Sequence, residues 1–146
     1  MSKTWNKIPK YSGVVCLFKG KIFLEKDDSM RIVRQNEGVH YTPAGHDNSV
    51  ISRKLFNPHN GSRVIDVHVT TFSSNSGMEE EAHESSEHVF YMLDGKLEIR
   101  QNGNIMTILE AGDAVHIPAG ELHQLHNSGP DTGVFLAVTT LLDTCT

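Results

Sequence analysis

Cysteine is scarce in this chain: Cys16 and Cys145 lie near opposite ends, and no C-x-x-C spacing surrounds either. That pattern supports two plain thiols in a reducing compartment and gives no setting for a cysteine nucleophile. Basic charge is also short, with 13 Lys and Arg against 18 Asp and Glu, a formal net charge of -5 and a pI near 5.9. Nucleic acids and anionic membranes both need a basic face, so neither is expected as a partner, and small molecules or proteins are. Long apolar runs are missing too. The run Val14 to Phe18 falls far below a secretion signal or a membrane span, which predicts a soluble cytoplasmic protein. There is no fixed-period repeat, no low-complexity tract, no phosphate-binding Gly loop and no Ser-His-Asp arrangement. No window of a dozen residues holds a 3.6-residue apolar period, so the chain offers no clear helix.

What the chain does contain is strands and turns. Strands are predicted over Val14 to Phe18, Lys21 to Glu25, Met30 to Arg34, Val50 to Phe56, Val64 to Phe72, His88 to Leu93, Lys96 to Gln101, Ile105 to Leu109, Ala114 to Ile117 and Val134 to Leu141. Asp94-Gly95 and Asn102-Gly103 are dipeptides that accept positive φ at both central positions of a type I′ turn, which predicts a three-stranded meander from His88 to Leu109. The 146 residues fit a single domain that buries roughly 70% of the surface of its unfolded chain. Within it, residues 1–50 are read as N-terminal strands or an arm, with HYTPAGHDNS as an irregular loop, and residues 51–146 as the main body.

Nine histidines is a high count for this length, and those at 83, 88, 116 and 123 fall in two short stretches. The second stretch, GDAVHIPAGELHQLHN from Gly112 to Asn127, matches the pattern G-x5-P-x-G-x2-H-x3-N at every fixed position. In this it resembles the second motif of the cupin superfamily. The first stretch, GMEEEAHESSEHVFYMLDG from Gly77 to Gly95, resembles the first cupin motif in an altered form: His88 stands where the family has Glu, His83 takes the second His place and Glu81 the first. The resemblance implies an all-β double-stranded β-helix, a jelly-roll barrel with a metal near its mouth. It also implies the ligands Glu81, His83, His88 and His123, the family's three His and one Glu with two positions exchanged.

Read from spacing alone, Glu81 and His83 leave one face of an extended strand about 6.6 Å apart, within reach of one ion. His88 would lie about 16 Å further on the opposite face, so a bend must intervene, and Glu84-Ser85-Ser86-Glu87 is polar enough to make it. In isolation His83 and His88 read as surface histidines, and Glu79-Glu80-Glu81 as a solvated acidic loop in which Glu79 or Glu80 is an alternative ligand. With Glu81 bound, a divalent ion keeps a net charge of about +1; with three neutral imidazoles alone it keeps +2. Imidazole suits Zn, Fe, Ni and Cu, and a carboxylate admits Mn, so one divalent transition metal per chain is expected with its identity open. His88, Phe90 and Met92 share a face by alternation, as do His123 and Leu125, which predicts an apolar floor beside the metal. His116, His126, His59 and His68 read as surface or packing residues, although the barrel's topology could turn His68 inward; His40, Tyr41 and His46 flank a candidate lid.

Three functions fit these features. One is a metal-dependent lyase, isomerase or cyclase acting on a small oxygen-chelating substrate, with Glu81 or Glu87 as catalytic base. The second is a three-histidine non-haem iron dioxygenase. The third is a non-catalytic small-ligand-binding module. A homodimer is expected, because single-domain cupins commonly pair through a sheet edge and the apolar strand Val14 to Phe18 needs cover.

Overall fold

The computed structural model describes residues 30–141, and these hold only strands, turns and loops. Ten strands are present among them: β1 (Val39–Tyr41), β2 (Val50–Phe56), β3 (Ile65–Phe72), β4 (Ser76–Gly77), β5 (Ser86–Asp94), β6 (Lys96–Gln101), β7 (Asn104–Glu110), β8 (Ala114–Ile117), β9 (Gln124–Asn127) and β10 (Gly133–Leu141). They form two antiparallel sheets, one of six strands in the order β1-β2-β3-β10-β5-β8 and one of four in the order β4-β9-β6-β7. The expected all-β barrel architecture is what the chain adopts.

Alternation decides the core. On β3 and β5 the even-numbered residues point inward, and Phe72, Phe90 and Met92 are buried there, opposed by Leu97, Ile99 and Leu125 from the other sheet. Each large apolar side chain taken fully out of water contributes up to about 1.5–3 kcal/mol. The odd-numbered residues of β5 face outward, leaving Val89, Tyr91 and Leu93 exposed in a row.

Asn127, the last fixed residue of the second motif, locks one end of the sandwich. It is buried, and its Nδ2 lies 2.8–3.1 Å from the carbonyls of Phe72, Ser73 and Asp131, tying the end of β3 to the loop before β10. A buried amide with its donors satisfied in this way fixes a corner that packing alone would leave loose.

The expected meander is corrected in one place. β6 and β7 do form a hairpin, and Asn102 (φ 50) and Gly103 (φ 75) both take the left-handed conformation that a type I′ turn requires. β5 and β6, however, belong to different sheets. Only Gly95 has positive φ (69) at their junction, and a Cβ on it would come within 2.1 Å of the Thr132 carbonyl. The chain turns a corner there because another loop passes against the glycine.

Three strands carry no clear local signal: β1 and β4 are too short to show alternation, and in β9 Leu125 is the one apolar residue among Gln124, His126 and Asn127. The strand expected over Met30 to Arg34 is absent, since this stretch pairs with no strand among the described residues and Met30 is 91% exposed. The strands expected over Val14 to Phe18 and Lys21 to Glu25 lie outside the described residues. No helix among the described residues is long and apolar enough to cross a membrane.

Candidate metal centre

The two motif segments are stapled side by side by their backbones. Glu81 and His123 exchange N–H···O bonds of 2.9 Å in both directions, and Gly120 N–H donates to the His83 carbonyl at 2.9 Å. Gly120 itself takes φ 79, which turns the chain after Pro118 so that His123 enters this pairing. Glu84 and Ser85 then form a turn, and β5 starts back at Ser86. The bend brings the His83 and His88 ring centroids to 4.8 Å, with His123 at 5.7 Å from His83 and 5.5 Å from His88.

One nitrogen from each of the three rings lies within 4.8 Å of the others. Ligand atoms about 2.1 Å from a common ion are separated by roughly 3.0–4.2 Å, so the set needs to close only slightly to hold one. The protonation pattern suits that role. His123 Nδ1 donates to the Glu121 carbonyl at 2.9 Å, which leaves its Nε2 with a lone pair. His88 Nδ1 is 3.0 Å from Thr139 Oγ1, and its Nε2 is buried without any hydrogen-bond partner. A buried, unpartnered imidazole nitrogen facing two others is costly unless something binds it. Burial first, and then the neighbouring His83 and His123, push the His88 pKa down to about 4, so the ring is neutral and ready to ligate at neutral pH.

Glu81 stands against this cluster and outside the three-nitrogen set. Its Oε1 lies 2.9 Å from His83 Nε2 and 3.8 Å from His123 Nε2. The alternatives turn elsewhere: Glu80 accepts from Asn102 N–H, and Glu79 lies beside Gly45, whose carbonyl accepts its N–H at 2.7 Å. Beside the histidines opens a cavity of about 280 Å³, whose lining mixes the apolar Phe90, Leu125 and Phe135 with the polar Ser52, His68 and Thr70.

The sequence from residue 68 to 139 matches the family model described as Cupin domain. This chain belongs to the cupin superfamily.

Solved structures with the same fold include the polyketide cyclase RemF from Streptomyces resistomycificus, with TM-score 0.68 and 24% identity over 77% of this cupin and 80% of that chain. A predicted oxalate decarboxylase from Thermotoga maritima superposes with TM-score 0.65 and 25% identity, covering 77% of this chain and all (100%) of that one. KdgF from Halomonas sp. gives TM-score 0.64 at 14% identity, over 77% and 94% of the two chains. No curated protein matches this cupin in sequence.

The structure also sorts the histidines and glutamates singled out in the sequence. His83, His88 and His123 come together, with Glu81 beside them. Glu87 does not join them: it alternates with His88 on β5, points to the outer face and lies 3.3 Å from the exposed His116. The first motif begins two residues earlier than Gly77. Counted back through His88, His83 and Glu81, its leading glycine position falls on Asn75, which supplies the left-handed turn with φ 53, a conformation Asn tolerates better than most residues. His68 is the residue that sequence reasoning undervalues, since it faces the cavity from β3. Its signal is alternation: it shares inward parity with Thr70 and Phe72.

Proposed function

We propose that this cupin is a metal-dependent enzyme of the lyase, isomerase or cyclase type, binding one divalent transition metal per chain and acting on a small substrate that chelates through oxygen. The observation that carries this reading is the convergence of three imidazole nitrogens, with the unpartnered His88 Nε2 among them and with His83 and His88 lining a mixed apolar and polar cavity. A bound divalent ion supplies a Lewis acid for a carbonyl or enol oxygen. His83, His88 and His123 would hold it, and Thr139 and the Glu121 carbonyl orient two of the rings. Glu81, 2.9 Å from His83, would be either a fourth ligand or a carboxylate that holds His83 in place. Phe90, Leu125 and Phe135, buried side chains of the cavity lining, favour a compact ligand with an apolar part.

The reading agrees with enzyme names among the fold relatives, a polyketide cyclase and a predicted oxalate decarboxylase. We further propose a homodimer, with the exposed row Val89, Tyr91 and Leu93 as its apolar contact. A second reading, a three-histidine iron dioxygenase, is favoured by one observation: Glu81 stands outside the set of three nitrogens. Metal analysis of protein purified without a His-tag tests the first reading. About one ion per chain is expected, and zinc or manganese supporting turnover without oxygen consumption separates it from the second. Absence of any bound or bindable transition metal would overturn both.

A further inference from the structure

Beside the three histidines, the inner face of the six-stranded sheet carries a second charged group, centred on Asp66. Lys54 on β2 and His68 on β3 are partners across the ladder, and Asp66 shares the face of His68 two residues earlier. Asp66 Oδ2 accepts from Lys54 Nζ at 3.0 Å, and its Oδ1 lies 3.1 Å from His68 Nδ1. A carboxylate paired with an ammonium is ionised and only accepts hydrogen bonds. The one ring proton of neutral His68 therefore sits on Nδ1, donated to Asp66, and Nε2 keeps its lone pair. His68 lines the same cavity as Glu81, His83 and His88. Across the sheet it follows the ladder His68–Ala137–Phe90, the row next to Thr139–His88.

We propose that His68, oriented by Asp66, is the proton carrier of this site, acting on a small carbonyl compound with an acidic C–H next to its chelating oxygens. The proposal rests on the reading of the histidine cluster as a metal-dependent enzyme site. The step balances within the substrate and the ring. His68 Nε2 takes the proton, the electron pair of the broken C–H bond stays on the substrate and spreads to its carbonyl oxygen, and the imidazolium is countered by Asp66. Return of that proton from Nε2 to another substrate atom completes an isomerisation or ring closure with no oxidant or reductant.

Two other candidates for the role are engaged elsewhere. Glu81 lies against His83, and Glu87 faces outward. The groups bearing on His68 are Asp66 on its own strand, Lys54 on β2, His46 on the loop after β1, and His88 on β5. Burial holds His68 below the usual histidine pKa, helped by Lys54 and His46 and opposed by Asp66, so the basic form prevails at neutral pH. Nearby, Ser52 Oγ and Thr70 Oγ1 lie 2.7 Å apart and fully buried, a hydroxyl pair in which either partner can donate.

The test uses nitrogen-15 NMR of the histidine rings in the full-length protein, metal-free and zinc-loaded, with acetylacetone as a chelating dicarbonyl probe. Native His68 should show the Nδ1-protonated neutral tautomer, and acetylacetone bound to the zinc form should shift it toward the doubly protonated form. In Asp66→Asn that shift should be lost. His68→Gln should retain the native metal content while losing any probe-dependent proton uptake. An Nε2-protonated His68 in the native protein overturns the proposal, as does a His68 that stays neutral with the probe bound, or loss of metal in His68→Gln. The tautomer is read without metal or ligand, so a protein that takes up no metal refutes the metal-enzyme reading separately, and the orientation of His68 by Asp66 then stands or falls on the tautomer itself.

Discussion

Glu81 and His123 are hydrogen-bonded to each other through both of their backbones, each N–H donating to the other's carbonyl at 2.9 Å. Directly opposed residues of an antiparallel pair send their side chains to the same side. The pairing therefore delivers the altered position of the first motif to the best-matched histidine of the second, and the Glu81 carboxylate ends 3.8 Å from His123 Nε2.

Glu81→Gln follows from this contact. The amide keeps the shape of the carboxylate and removes its charge, so metal affinity should fall if the carboxylate ligates, while Glu79→Gln and Glu80→Gln should do little because both side chains turn away from the cluster. Competition against a chelator, read as metal retained, measures it. If metal content holds in Glu81→Gln while turnover falls, the carboxylate acts on the substrate or on His83. Equal behaviour of all three variants excludes both roles.

His123→Ala should abolish metal binding and leave a folded barrel. The ring is 3% exposed and supplies one of the three nitrogens that converge among the described residues, but its removal costs one hydrogen bond, to the Glu121 carbonyl, and leaves both backbone bonds to Glu81 in place. Elemental analysis together with circular dichroism checks both halves. Full metal occupancy in a folded variant places the site elsewhere.

Acid should weaken the metal-free protein through His88. Its folded pKa of about 4 lies below the ordinary value near 6.5, so between those limits the unfolded chain binds the proton more readily. Stability is thus present in full above about pH 6.5 and is lost as pH falls toward 4. Urea midpoints should drop across that window, and His88→Asn should flatten the dependence. A native profile level from neutral to pH 4 contradicts the burial argument.

Asn127→Ala should lower stability by about 1–3 kcal/mol, since the carbonyls of Phe72, Ser73 and Asp131 lose a shared buried donor. Metal content should not change, because the residue serves the sandwich corner. Denaturant unfolding of the metal-free variant gives the number, and an unchanged midpoint shows that water replaces the amide there.

Light scattering should report about twice the chain mass of 16.2 kDa, and Leu93→Glu should shift the protein toward monomer by placing a charge in the exposed row of β5. A clean monomer of the native chain at micromolar concentration rules the dimer out.

Much of this protein is legible before any coordinates. Val50 to Phe56, Lys96 to Gln101 and Ala114 to Ile117 are predicted with the bounds the strands have, because β-rich runs there meet turn residues at both ends. The left-handed turn at Asn102-Gly103 is equally local, since it depends on two residues alone. The positions of His83, His88 and His123 follow from motif spacing, as does the need for a bend after His83.

Other features belong to the tertiary structure. Alternation says that Glu87 and His88 point opposite ways, and that Asp66 and His68 point the same way, but not which side becomes the barrel interior. That depends on the strands that pair on either side: β10 sets Thr139 against His88, and β2 sets Lys54 against His68. Whether Gly95 makes a hairpin or a corner depends on Thr132, 37 residues later in the chain, whose carbonyl a Cβ would strike. Local sequence determined strand, turn and motif position, because backbone preference and side-chain period act within a few residues. The contents of the site, three imidazoles with Glu81 beside them and an Asp66-held His68 lining the same cavity, were decided by ladder register, a long-range property that no single segment carries.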